Sequence, residues 1–113
     1  MHEMSIAQSL LDIVQTEASR HNAKKVVRIR VTAGELRGIV PVHLNYFFQF
    51  VSKGTIAEGA ELDVNILPVK ARCSACDLLF PVEDYNYQCP QCKGREVDTV
   101  QGLELMVQDL EIC

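Results

Sequence analysis

The chain has 113 residues, 48% of them apolar and 23% charged, with a formal net charge of -4. That suits one packed domain, or a small domain carrying a smaller module, and excludes a disordered tail. The acidic balance speaks against tracking a phosphate backbone and suits a protein that handles cations or meets a basic partner.

Residues 4–21 predict an amphipathic helix. Ile6, Leu10, Ile13, Val14 and Ala18 fall on one stripe, and Ala7 and Leu11 widen it. Ser5 with Gln8 has the spacing of a capping box, and Asn22 is the expected stop. Val26 to Ala33 predicts a strand, with Val27, Ile29, Val31 and Ala33 on one face and Arg28, Arg30 and Thr32 on the other. Gly34 and Gly38 bracket a loop. A second helix is expected from Pro41 to about Lys53, with Leu44, Phe47, Phe48 and Val51 as its apolar stripe. That aromatic cluster reads as core because it holds helical spacing.

Glu61 to Leu67 alternates again, with Leu62, Val64 and Ile66 on the buried face, and Pro68 ends it. A last strand carries Leu103, Leu105 and Val107 in one phase but Leu110 and Ile112 in the other. One extra residue near Gln108-Asp109 would restore the phase, so a bulge or a strand end is expected there. The fold class that follows is α+β, with two helices on one face of a three-stranded mixed sheet. A zinc-ribbon-like module of two CxxC knuckles is inserted before the last strand. The expected division is 1–70 plus 101–113 for the α+β domain and 71–100 for the module, with the connections near Lys70 and Gly102 as hinges.

Within the module, Cys73-x-x-Cys76 and Cys89-x-x-Cys92 are separated by twelve residues. Each pair forms a knuckle that points two thiolates at one ion, and two knuckles close a tetrahedral site. Zinc is the expected metal. Iron in a rubredoxin-type site is the alternative, and rubredoxin spaces its pairs more widely. Phe80, Tyr85 and Tyr87 are expected to cover the metal. Pro90 and Gly94 favour a tight backbone whose amides donate to the sulfurs. A closed four-thiolate site has no open position for a substrate, so it staples the fold and performs no chemistry. The fifth cysteine, Cys113, reads as a frayed thiol without a role.

Met1-His2-Glu3 opens the chain. The Met1 amine, the His2 amide and imidazole, and the Glu3 amide could chelate one ion in adjoining rings. Deprotonated amides favour square-planar Ni(II) or Cu(II) over zinc. Alone, such a start is common by chance, and a solvated histidine is the plainer reading. Taken with the helix, Gly34, Gln101-Gly102 and the two cysteine pairs, Met1-His2-Glu3-Met4-Ser5 resembles the HypA/HybF family of hydrogenase nickel-incorporation proteins.

The resemblance spans essentially the whole chain. It implies a metallochaperone that binds one Ni(II) through Met1, His2 and Glu3, and one structural Zn(II) through Cys73, Cys76, Cys89 and Cys92. It implies delivery to the large subunit of [NiFe]-hydrogenase with a HypB-type GTPase, and service to urease maturation proteins in some organisms. Some relatives place a nickel-approaching carboxylate near the second helix. Here Pro41-Val42-His43 stands there, and Glu35 and His43 are the substitutes to consider.

Three rivals remain. A nucleic-acid-binding ribbon would carry an unbalanced basic face, whereas Asp77, Glu83, Asp84, Glu96 and Asp98 offset Lys70, Arg72, Lys93 and Arg95. An enzyme would need a nucleophile–base pair, a phosphate loop or an open zinc site, and none is evident. A zinc-ribbon adaptor without nickel transfer stays open. With no apolar run able to span a bilayer and no basic-then-apolar leader, the expected setting is the cytoplasm, without membrane or nucleic-acid partners.

Overall fold

A computed structural model describes residues 2–113, with the backbone alone for His2. The chain divides into two compact units. One comprises Met1–Thr32, Ile39–Asn65 and Leu105–Cys113; the other comprises Ala33–Gly38 and Ile66–Glu104.

Helix α1, His2–Arg20, opens the first unit. It begins earlier than the sequence predicts, so Ser5 lies inside the helix and caps nothing. Ala7, Leu10, Leu11, Val14 and Ala18 are buried, while Ile13 is half exposed. The inward stripe is therefore centred on the positions expected to widen it. Asn22 ends the helix in the left-handed region at φ 53°. There the Ala23 amide reaches back to the Ala18 carbonyl, which satisfies the last turn as a Schellman-type cap does.

Strand β1, Val26–Gly34, follows, and its Ile29, Val31 and Ala33 are buried. Val26 is buried as well and Val27 faces solvent, opposite to the expected phase at the strand's start. The Val26 amide is bonded to the Ile56 carbonyl, which turns the first residue inward. A short 3-10 turn, Glu35–Arg37, ends at Gly38 in the left-handed region. Helix α2, Pro41–Val51, starts with proline in its first turn and stops two residues short of Lys53. It packs on α1, burying Leu44 and Phe48.

Strand β2, Glu61–Leu67, lies on one side of β1, and the last strand lies on the other. Arg28 near the start of β1 pairs with Glu61 and Asp63 near the start of β2, so those two strands run the same way. The last strand runs the opposite way. Gly34 donates to Glu104 at one end of β1, and Cys113 donates to Lys25 at the other. The sheet is thus mixed, as expected, with both helices on one face. Lys24 also donates to the Cys113 carbonyl, so the residue expected to fray has a paired backbone and only its thiol is exposed.

The expected phase change is present. Thr32 donates to Gln108, while Arg30 donates to Asp109. Arg30 and Thr32 share a face of β1, yet their partners are adjacent in sequence. Adjacent residues of a regular strand point opposite ways. Two that reach the same face mark a bulge, and Leu105, Val107 and Leu110 accordingly stay half-buried across it.

The second unit is built on three short antiparallel strands. They are β3, Lys70–Cys73, in the centre, with β4, Leu79–Pro81, and β5, Val97–Gln101, on its flanks. The last strand of the other sheet, Leu105–Ile112, is therefore β6. Val69, Ala71, Phe80 and Val82 form the second unit's small core with Cys73 and Cys89. Lys70 and Gly102, the connections expected near the module's ends, both lie within this unit. Lys70 pairs with Pro81 and Gln101, and the Gly102 carbonyl accepts from Leu36. No helix among the described residues is long and apolar enough to cross a membrane.

Candidate metal centre

The two cysteine pairs fold into the same local shape. In the first knuckle Cys73 N donates to Leu78 O, and Asp77 N donates to Cys73 O. In the second, Cys89 N donates to Gly94 O, and Lys93 N donates to Cys89 O. The residue after each second cysteine, Asp77 or Lys93, is left-handed at φ 63° and 66°. One backbone pattern is thus used twice, on opposite sides of a common point.

That repetition brings four sulfurs together. Cys73 Sγ lies 3.5 Å from Cys92 Sγ, and Cys76 Sγ lies 3.5 Å from Cys89 Sγ. All four lie within 4.8 Å of one another. A tetrahedron with metal–sulfur bonds of about 2.3 Å has edges of about 3.8 Å. The donor set and its spacing fit a tetrahedral, thiophilic ion such as zinc. All five cysteines of the chain are free thiols.

The backbone makes the sulfurs unequal. Cys73 is drawn below the usual thiol range, chiefly by the Cys76 amide, against the pull of burial and with help from the Ala75 amide. Cys89 is drawn down to about 6, first by the Cys92 amide, against burial, and by the Gln91 amide. The second cysteine of each pair behaves oppositely. The Leu78 amide favours a thiolate at Cys76, but burial and the three neighbouring sulfurs outweigh it and push the thiol up to about 12. At Cys92 the Gly94 amide is likewise outweighed, by Cys73, burial and Cys89, and the thiol is raised. Without a cation at its centre, the cluster thus favours charge at the first cysteine of each pair and limits it at the second. A bound divalent ion removes that limit, and the six amides then stabilise the remaining negative charge.

The sequence located all four sulfurs and the role of Gly94. Tyr87 packs against the core around Cys73 and Cys89, as Phe80 does, but Tyr85 projects into solvent at a tight turn. Asp84 and Tyr85 are both left-handed there, and the Asn86 amide donates to the Glu83 carbonyl. Sequence reasoning overlooked Asp77 and Lys93. Aspartate is enriched in the left-handed region, so Asp77 carried a weak residue-type signal, whereas Lys93 is marked by position alone.

Of the N-terminal triplet, Met1 and the His2 imidazole lie outside the described residues. His2 begins α1 and Glu3 lies in its first turn, half-buried. Glu35, a substitute carboxylate considered above, accepts a hydrogen bond from the Val69 amide at 3.2 Å. His43 is exposed in the first turn of α2.

The family described as "Hydrogenase/urease nickel incorporation, metallochaperone, hypA" matches residues 1–112. Among curated proteins, the hydrogenase maturation factor HypA of Lawsonia intracellularis is 39% identical, covering 99% of this chain and 99% of its own. That of Desulfitobacterium hafniense is 36% identical, covering 99% and 98%. Two solved structures share the fold at 26% identity. One, described as the solution structure of HypA protein, has a TM-score of 0.78 and covers 100% of this chain and 97% of its own. The other, of the Ni metallochaperone HypA from Helicobacter pylori, has a TM-score of 0.69 and covers 97% and 96%. The chain belongs to the HypA family of nickel-incorporation metallochaperones for hydrogenase maturation.

Proposed function

We propose that this HypA-family protein binds one Ni(II) ion through Met1, His2 and Glu3 and passes it on for maturation of [NiFe]-hydrogenase, while Cys73, Cys76, Cys89 and Cys92 hold a structural Zn(II). The observation that carries this reading is a family match along residues 1–112, which takes in both the N-terminal triplet and the cysteine pairs. The donor partners implied are a HypB-type GTPase and, as acceptor, the hydrogenase large subunit, with urease maturation proteins as further partners in some organisms. The cytoplasm suits four unpaired thiols, because its reductants keep them available for metal.

The start of α1 supports the chemistry. Amides in the first turn of a helix are not used in the helix's own ladder. His2 and Glu3 belong to that turn. The helix dipole places partial positive charge there, which favours an ionised amide and opposes a bare cation. A chelate in which two amides have lost protons carries no net charge around Ni(II), so it reconciles the ion with the helix end.

The test is metal analysis and nickel titration of tag-free protein beside His2→Ala. The native chain should bind one equivalent each of nickel and zinc, and His2→Ala should keep the zinc and lose the nickel. Equal nickel affinity in the two proteins would overturn the assignment.

A further inference from the structure

Strand β6 lies at the edge of its sheet. In the order β2-β1-β6 it pairs with β1 on one side and has no neighbour on the other among the described residues. The Cys113 N–H and C=O both turn toward β1, to Lys25 and Lys24. Peptide groups alternate in direction along a strand, so Leu110 and Ile112 turn theirs to the open edge. A groove of about 640 Å³ runs beside that edge, wholly within the first unit. Every β6 residue except Glu111 lines it, and its opposite wall is one face of α1, Ile13, Glu17, Ala18 and His21. Ile13 and Met106 are left 46% and 47% exposed there. The strand has eight residues, a length of about 26 Å. An open edge of that length is a template for another chain.

We propose that the groove between α1 and β6 receives an extended segment of another protein, alternating apolar with basic residues, which adds to β6 as a further strand. The pleat sets the alternation. One set of the segment's side chains enters the groove beside Ile13 and Leu110. The other set stands on the opposite face of the sheet, beside Asp109 and Glu111, and charge makes that set basic. Arg30 is shared between those two carboxylates at 3.2 and 3.5 Å, so one negative charge is left over. No lysine or arginine lines the groove, whereas Glu17 does, in a solvent-exposed pair with Arg20.

The same charges turn a second copy away from this edge. Two β6 strands paired antiparallel about an axis within residues 108–112 would set Asp109 and Glu111 against their own like. Edge strands are commonly blunted by charged side chains and by bulges. Here the carboxylates and the bulge at Gln108-Asp109 leave the Leu110 and Ile112 peptide groups open, so they select a basic strand and refuse an acidic one.

The probe is an amidated peptide of about eight residues, the length of β6, alternating lysine with isoleucine. It is titrated into the zinc-loaded full chain and followed by amide NMR. Binding should saturate with a Kd on the order of 100 µM. It should shift β6 and the groove face of α1, and slow hydrogen exchange at the Leu110 and Ile112 amides. The same peptide with glutamate in place of lysine should bind at least about tenfold more weakly. Ile13→Lys should weaken binding of the basic peptide by a similar factor while keeping its zinc and its circular dichroism. Val42→Ser, an exposed apolar change on α2, should leave binding as it was. N-methyl groups on alternate residues of the peptide test strand addition without altering the protein. On one set they should abolish binding, and on the other they should leave it. No saturation, equal binding of the acidic peptide, indifference to Ile13→Lys, or the same effect from both N-methyl sets would each overturn the proposal.

Discussion

Replacing Gly34 with alanine sets two opposing effects against each other. Gly34 has φ -73° and ψ 147°, a conformation open to any residue. On backbone freedom alone, alanine would stabilise by about 0.4–1 kcal/mol through a more restricted unfolded chain. Space reverses the sign. A Cβ at position 34 would collide with the carbonyl group of Gly102 and crowd the Leu103 amide. These are backbone atoms and cannot swing aside. To make room, residues 102–104 must lift away. The Gly34 N to Glu104 O bond of 2.7 Å and the Leu36 N to Gly102 O bond of 2.9 Å then weaken or break.

Two backbone hydrogen bonds at about 1 kcal/mol each, with about 1–3 kcal/mol of overpacking, total about 3–5 kcal/mol. Subtracting the entropic gain leaves a net loss of about 3 kcal/mol. Urea unfolding of the zinc-loaded protein should report that loss, and thermal scans a fall in Tm on the order of 10 °C. Gly38→Ala is the control. Gly38 has φ 66° and open space around a would-be Cβ. It should therefore cost only the left-handed strain, about 1–2 kcal/mol. A Gly34→Ala protein as stable as the native one, or less damaged than Gly38→Ala, would refute the steric argument.

Zinc binding to metal-free protein should release fewer than four protons per ion near neutral pH, since Cys89, drawn down to about 6, enters as a thiolate while Cys76, pushed up to about 12, must lose its proton. Calorimetry in buffers of different ionisation enthalpy counts them; four would contradict the inequality of the sulfurs. The sign follows from competition between protons and metal: zinc affinity falls as pH drops, and falls more steeply below about 6 as Cys89 also protonates. Asp77→Gly and Lys93→Gly each relieve a left-handed residue and should raise the melting temperature of the zinc-loaded protein, by up to about 1 kcal/mol of stability. A lower Tm in both would mean that the two side chains contribute more than their backbone strain costs. Nickel release to an external chelator should accelerate as pH falls, with about two protons taken up per ion by the amides of the N-terminal chelate. A rate independent of pH would exclude amide ligation.

What the sequence discloses here depends on how many residues state the same fact. The cysteine pairs were legible because ligand spacing is rigid chemistry. The bulge at Gln108-Asp109 was legible because five apolar residues on two phases admit few arrangements. The β3–β5 ribbon was not legible. Its strands span Lys70–Cys73, Leu79–Pro81 and Val97–Gln101, too short for an alternating pattern, and one of their residues, Cys73, belongs to the sulfur cluster. Tertiary contacts override local signals at Val26, drawn inward by Ile56, and at Ser5, overtaken by a helix that starts at His2. Helix α2 is the instructive case. Leu44 and Phe48 hold i+4 spacing, and so do Val42, Tyr46 and Phe50, so periodicity alone cannot decide which stripe turns inward. That choice is made by what lies on the other side, which for Leu44 and Phe48 is the core shared with α1.

A protein that keeps one metal and gives away another needs two sites with opposite physics. At the cysteine cluster, four sulfurs come from two knuckles that are themselves closed by backbone hydrogen bonds, and six amides are aimed at the resulting negative charge. Losing the ion there means returning protons to thiols in a partly buried core, so departure is coupled to unfolding. On the nickel reading, the N-terminal chelate has the reverse logic. Its donors lie within three consecutive residues, so they can detach one at a time without disturbing a core. Each amide that regains a proton also restores positive charge beside a helix end that already carries it, so every step of release makes the next easier. On that reading, retention by the second unit and delivery by the first follow from the donors and where they sit in the fold: four sulfurs closed into a small core hold one ion, and nitrogen donors in three consecutive residues release the other.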